Sequence, residues 1–352
     1  MLTGKTNLFV FGILQSILLI PQLICAPLID LQDMAQDFVL ETKQINIPGF
    51  AESFNPSLLR WENYLILTFR VKNPLTGDTN QTGFVLLNED LEIISDPKPL
   101  EILFDSPPAY SKIQDPRLVT VGNKHYVVFN NQIGMAPTKE IRRMFVAELH
   151  FDGARLFTEN PEALLYFDTP QFQYQEKNWA PFDYKNKLLL SYSINPHHIK
   201  EPILGSEYAT IASCTECSFD WNWGTPRGGT PALLIGNQYL AFFHSSQLMA
   251  TLNSKGKPIT HYFMGAYTFS SEPPFELTAI SPEPIVGQNF YCGKSYNTWK
   301  PLLVVFPCGI MCDEKYIWVS YGRQDHEVWI AKLDKKGLLN SLQPVVPAKE
   351  IP

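Results

Sequence analysis

An aspartate and an arginine two residues apart, Asp115 and Arg117 in "QDPRLV", stand immediately before an alternating apolar run. A carboxyl placed there can hand a proton to a leaving oxygen, and a guanidinium beside it can set its charge state or hold an anion through paired hydrogen bonds. Asp-Pro is also ordinary turn chemistry, so the reading depends on company. Polar clusters of the same kind stand at Asn55 in "FNPSLLRW", Lys177 in "EKNWAPF" and Arg227 in "RGGTPALL", with a further landmark at Phe306 in "VVFPCGIM". Arg70 closes "LTFR", Arg142 and Arg143 open "RRMFVAEL", His244 ends "QYLAFFH", and Asp325 lies in "YGRQDHEVWIA". Trp61, Trp179 and Tyr262 carry rings able to stack on a sugar face, although aromatics of an all-β chain go more often to the core.

The elements that must position these groups are strands. Short runs with period-two alternation recur ("YLILTFRV", "HYVVFNN", "KLLLSYSI", "YIWVSYG"), most of them bounded by Gly, Pro, Asn or Asp. Helical periodicity is nearly absent apart from "LIDLQDMAQDF", so the fold class is all-β. The five landmarks are 50 to 79 residues apart, each ahead of a strand pair. Four strands with their turns occupy roughly 40 to 50 residues, so five laps fit a five-bladed β-propeller with a central polar funnel. A sandwich also contains many short strands. The equivalent placement of polar residues in each lap favours the propeller, whose innermost strands bring one cluster per blade to a common axis.

Composition limits the partners. With 45% hydrophobic residues among 352 the chain can bury a large core, and a net charge of −7 with no basic cluster argues against nucleic acid. Residues 7–26 carry no charge, follow Lys5 and end at Ala26, the pattern of a secretory signal, with an uncleaved anchor as the alternative. The expected location is therefore secreted, periplasmic or in a secretory lumen, with membrane contact only through an uncleaved N-terminal segment. The expected divisions are 1–26 signal, 27–48 extension, 49–340 propeller and 341–352 tail. Beyond Cys25 there remain Cys214, Cys217, Cys292, Cys308 and Cys312, an odd number. "CTEC" has the C-x2-C spacing of a metal-binding pair, but "CGIMC" does not have that of a zinc ribbon, and no metal site is expected. Asn80 in "NQT" is a glycosylation acceptor by pattern. There is no Gly-x-Ser-x-Gly elbow, His-Glu-x-x-His or P-loop.

Taken in order, "FNPSLL", "LTFRV", "QDPRLV", "KNWAPF", "RGGTPALL", "HYFMGAYTF", "VVFPCGIM" and "YGRQDHEVWIAKL" resemble the inverting β-mannoside phosphorylases and mannosidases of glycoside hydrolase family 130, across residues 50–335. That family is five-bladed. The resemblance implies Asp115 as the acid that protonates the leaving group through a sugar hydroxyl. It implies Asn55, Arg70 and Asp325 as contacts to the mannosyl unit and Lys177 as a phosphate ligand, with Arg143 ahead of a comparable strand. Arg117, Trp179, His244 and Tyr262 are further expected sugar contacts, and Arg227 is a third phosphate ligand. Many family members have an acid where Gln114 stands. The implied reaction takes a mannoside and inorganic phosphate to mannose 1-phosphate with no other cofactor, the partner being an oligosaccharide or glycan. Phosphorolysis is most useful in a cytoplasm, so an exported β-mannosidase or β-mannosyltransferase using the same pocket stays open. So does a non-catalytic carbohydrate-binding propeller.

Overall fold

The computed structural model describes residues 27–72, 81–106, 111–167, 173–298 and 300–347. The apolar run at 7–26 and Asn80 lie outside them. Antiparallel strands dominate, and the described residues contain one α-helix, Lys335–Ser341. The all-β expectation holds. The expected helix near "LIDLQDMAQDF" is a single 3-10 turn, Leu31–Met34, with Asp30 as its cap.

The strands fall into five antiparallel groups. The first runs through Ser53–Trp61, Tyr64–Val71, Gln81–Leu87 and Lys98–Leu103; the second through Gln114–Val121, Lys124–Met135, Glu140–Phe151 and Leu156–Glu159. The third comprises Ala180–Tyr184, Lys187–Ile194, His197–Ile203 and Tyr208–Thr215. In the fourth, Arg227–Gly228 and Leu233–Ile235 both pair with Gln238–Met249, followed by Ile259–Ser270 and Leu277–Ile280. The fifth joins Val305–Cys312, Tyr316–Arg323 and Glu327–Asp334 to a strand from the other end of the chain, Val39–Gln44, paired Thr42 to Ala331. The segment expected to be an extension is thus an integral edge strand, and Gln343–Pro344 of the expected tail pairs with the fourth group. One parallel pairing, Leu100 to Leu156, links the outer strands of the first two groups into a nine-stranded sheet.

Turn chemistry explains why the pairs form. In four groups the first hairpin turns on two residues ending in Asn: Glu62-Asn63, Gly122-Asn123, Lys185-Asn186 and Gly236-Asn237. The first residue of each has positive φ, which suits the tight hairpin loops that match strand twist.

Apolar side chains then close the arrangement. One core packs Leu59 and Ile66 of the first group on Val127 and Phe129 of the second. Others join Val119 to Trp179, Phe182 to Phe243, Phe263 to Val319, and Leu67 to Ile330, so that each group is packed on the next and the fifth returns to the first. Each fully buried Val, Leu or Phe contributes about 1.5–3 kcal/mol. The far ends of the first strands, including Arg60, Thr120, Tyr184, Leu234 and Met311, meet around one cavity of about 530 Å³. The fold is all-β, nearly closed and barrel-like, consistent with the expected five blades.

Close approach at the centre demands small residues. A methyl group on Gly309 would meet Leu58 N at 2.5 Å and press on Ser320 Oγ. We expect Gly309→Ala to destabilise the protein by about 1–3 kcal/mol, the usual cost of overpacking, read as a lower thermal midpoint; an unchanged midpoint would mean that the inner strands do not abut.

Candidate active site

At the head of the first strand in each of the first two groups a bulge interrupts the ladder. The register shifts between Phe54 and Ser57 and again between Gln114 and Arg117. Within each bulge one residue turns left-handed, Asn55 with φ 48° and Asp115 with φ 53°. Asn and Asp tolerate that backbone better than branched residues do. Asn178 (φ 66°), just before the third group's first strand, and Asp325 (φ 52°), between two strands of the fifth, repeat the conformation.

These residues converge. Asn55 Nδ2 and Arg70 Nη1 both donate to Asp115 Oδ1, each at 2.9 Å. Arg70 also stacks 4.7 Å from the Phe54 ring centre. Burial alone would push the Asp115 carboxyl up; the charges of Arg70, Arg117 and Lys177 and the Asn55 amide outweigh it and hold the group down at about 2. Asp325 shows the opposite balance. It accepts no hydrogen bond from the described residues, and burial, helped by the negative charge of Asp115, raises it to about 6 against the pull of Arg70 and Lys177. Two carboxyls in one electrostatic cluster are therefore split, one ionised and one ready to carry a proton near neutrality.

Beside them, Lys177 is depressed by burial and by the cations Arg142, Arg227 and Arg70, with Asp115 opposing. Lys177 and Arg227 line a cleft of about 590 Å³ with Glu176, Tyr192 and Asn195. Among the described residues neither cation is hydrogen-bonded or ion-paired.

The pattern of beta-1,4-mannooligosaccharide phosphorylases within glycoside hydrolase family 130 matches residues 29–344. The chain belongs to glycoside hydrolase family 130. As a member it is a glycoside phosphorylase or glycosidase, in a family whose members act on β-mannosides. Similar solved structures include a glycosyl hydrolase of Bacteroides ovatus (12% identity, TM-score 0.59, covering 84% of this chain and 86% of that one). Another is the β-1,2-mannobiose phosphorylase of Listeria innocua with β-1,2-mannobiose (14%, 0.55, 85% and 92%). A third is a mannose phosphorylase of Leishmania mexicana with phosphate ion (11%, 0.57, 90% and 93%). At these identities the likeness concerns the fold. A comparison with curated proteins gives no match.

Several residues of this family 130 enzyme sit differently from expectation. Arg117 has no exposed surface: its guanidinium donates to Gly229 O, to Asp115 O at 3.4 Å and to Asn178 Oδ1 at 3.2 Å. It ties three groups together and lends Asp115 its field, with no surface left to offer a ligand. Trp179 is 1% exposed and packed in a core with edge-on contacts from Phe167 and Tyr192, so it offers no face for stacking. Arg143 is spent on the carbonyls of Arg142, Gln173 and Tyr174. Its neighbour Arg142, anchored by Glu140, Lys112 O and Asn130, is the one whose charge acts on Asp115 and Lys177. His244 is lowered to about 3 by burial and by Arg117 and Arg227, so it is neutral. Its Nδ1–H donates to Gly228 O at 3.0 Å. Tyr262 lies nearly parallel to His244, ring centres 6.1 Å apart, and is raised by burial and then by Asp325. Asn55, Arg70, Asp115 and Asp325 share one cluster, and Lys177 and Arg227 share the cleft.

Glu176 and Asn178 were not anticipated. Glu176 is 2% exposed and raised to about 7 by burial, despite the Trp179 N–H and Arg143. Asn178 stands in "EKNW" where Asn55 and Asp115 stand in their laps, the signal that identifies it.

Among described residues all five remaining cysteines are free, Cys308 buried among them, and no three His, Cys, Asp or Glu side chains are grouped to hold a metal.

The sign of the Asp325 shift yields a test. A carboxyl whose folded value exceeds its ordinary 3.8 destabilises the fold progressively as pH rises from about 4 to 6, and by a constant amount above. We expect Asp325→Asn to stabilise the protein at pH 7 by roughly 1–3 kcal/mol, with the gain gone by about pH 3.5, in denaturant titrations. Asp115 has the opposite sign, contributing stability above pH 4 that is lost as pH falls toward 2. An Asp325→Asn variant less stable than the parent at pH 7 would refute the raised value.

Proposed function

We propose that this enzyme cleaves β-mannosides by inverting phosphorolysis in the axial funnel of a five-bladed propeller. The supporting observation is the pairing of a split carboxyl pair, Asp115 buried and Asp325 half-buried, with two cations, Lys177 and Arg227, that have no partner among the described residues and open on one cleft. Asn55, Arg70 and Asp325 would bind sugar hydroxyls, and phosphate would lie against Lys177 and Arg227 with Arg142 behind. The glycosidic C1–O bond breaks as the leaving oxygen takes a proton, and a phosphate oxygen bonds to C1 from the opposite face. Hydrolysis in this geometry requires a carboxylate to activate water. Glu176 is the carboxyl in the cleft, but it is closed off from solvent, with one oxygen against Trp179 Nε1 at 3.4 Å. That observation favours phosphate as the nucleophile.

Charge also accounts for how Asp115 can act as the acid although it is ionised in the unliganded site. Its proton affinity is suppressed by cations, while its burial pulls the other way. A phosphate anion held by Lys177 and Arg227 cancels part of that field and adds negative charge nearby, and the sugar removes the remaining water. Both changes raise the carboxyl. Phosphate therefore arms the acid before it attacks.

Incubation with short β-mannosides should give mannose 1-phosphate in the presence of phosphate and little free mannose without it; free mannose independent of phosphate would establish hydrolysis. Asp115→Asn should lower turnover at least ~100-fold, and normal turnover would remove Asp115 from the mechanism. Titration calorimetry in buffers of differing ionisation enthalpy should show net proton uptake by the protein on phosphate binding, absent in Asp115→Asn. Lys177→Met should raise KM for phosphate ~10-fold or more through the loss of a charge-assisted hydrogen bond, with a smaller effect on KM for the mannoside.

A further inference from the structure

The hairpin joining Gln238–Met249 to Ile259–Ser270 is fastened to the start of the described chain. Leu252 N donates to Ile29 O at 2.9 Å, Leu31 N donates to Asn253 Oδ1 at 2.8 Å, and Asn253 Nδ2 donates to Asp30 Oδ1 at 2.9 Å. Leu28 lies against Gly256, its Cδ1 3.3 Å from where a Cβ would stand. The unit so formed is held by three hydrogen bonds, yet it presents apolar surface to solvent: Leu28 is 39% exposed, Ile29 46%, Leu252 53% and Leu248, just before the turn, 69%. Lys255 and Lys257 are exposed on the same turn, while the Asp30 carboxylate is turned inward by Gln32 N and Asn253. Exposed leucines and isoleucine flanked by lysines form an interfacial pattern, with apolar atoms suited to the acyl boundary and ammonium groups to anionic headgroups.

Two observations select a bilayer as the occupant. Residues 7–26, uncharged and largely apolar, end directly before this patch, so in the uncleaved chain the segment that leads into it is itself suited to lipid. The patch also lies at the site's end of the molecule. Tyr239, near the start of Gln238–Met249, lines the cavity at the far ends of the inner strands, whereas His244 is opposite Arg227 and Met249 leads onward into the turn. We propose that Leu28, Ile29, Leu248 and Leu252, with Lys255 and Lys257, seat this protein on an anionic lipid surface, with the mouth of the site at the membrane-facing end. Glycans carried at a membrane surface are then the substrates presented to it. The seat is independent of whether the cleft takes phosphate or water.

Amide hydrogen exchange of the full chain tests this. With vesicles of phosphatidylcholine and phosphatidylserine, exchange across 248–258 should slow about tenfold relative to protein without lipid, with much less slowing on phosphatidylcholine alone. Lys255→Gln/Lys257→Gln should remove most of the effect, since each basic residue near an anionic surface is worth about fivefold in affinity. Leu252→Ser should do the same. Both variants should turn over a soluble disaccharide at the normal rate, which shows that they are folded. Exchange that ignores lipid overturns the proposal even if residues 7–26 bind vesicles, because an anchor alone leaves the turn uncovered. Slowing that depends on protein concentration without lipid also overturns it, by identifying a second copy as the cover.

Discussion

The inner strands of the five groups approach one another without a ladder between them, and that constraint shapes the whole centre of the molecule. An unpaired strand edge leaves amides and carbonyls in need of partners. Here the gaps are bridged singly: Ser57 Oγ accepts from Leu118 N at 3.0 Å, Ser320 Oγ donates to Pro56 O at 2.7 Å, and Ala232 N donates to Pro181 O at 2.9 Å. Bulges accommodate the remaining mismatch, and in the first two groups the bulge holds a residue in the left-handed region. Asn55 and Asp115 are those residues and carry polar groups of the site. The device that resolves an edge problem is the one that builds a functional centre.

Electrostatic consequences follow from that convergence. Arg70, Arg142 and Lys177 act on Asp115 from several directions, with Arg117 beneath it. Concentrating cations in a poorly solvated space costs stability, and Asp325, kept without a partner among the described residues, adds to that cost. Apolar packing between neighbouring groups offsets it. In the proposed reaction, the phosphate anion brought to this centre relieves a strain that the folded chain already bears. Such strain cannot be found by inspecting single contacts, since most of these cations are well hydrogen-bonded.

Legibility in the sequence varied with the physics. Alternation announced strands because one face of each is buried, and Asn55 and Asp115 were visible as polar residues placed just ahead of strand pairs, while Asp325 entered through the family resemblance. The two-residue turns ending in Asn at 63, 123, 186 and 237 are a sharper repeat signal than the landmarks, and only the hairpins themselves bring them out. Orientation was opaque. Neighbouring residues on a strand point to opposite faces, so "RR" could not say that Arg142 turns toward Asp115 while Arg143 turns to the carbonyls of Gln173 and Tyr174. Nor could "NW" say that Asn178 meets Arg117 and Trp179 meets the core. The neutrality of His244 depends on burial and two distant arginines, neither of which is local in the chain.

Val39–Gln44 completes the fifth group beside Glu327–Asp334, nearly three hundred residues later in the chain. During synthesis this early strand has no partner until the last of its group has left the ribosome. Its amides are meanwhile open to wrong pairings, the slow and exposed situation of long-range β contacts. Completion of the fifth group thus waits on Glu327–Asp334, and a nascent chain released before that strand would carry an unmatched edge into a crowded compartment.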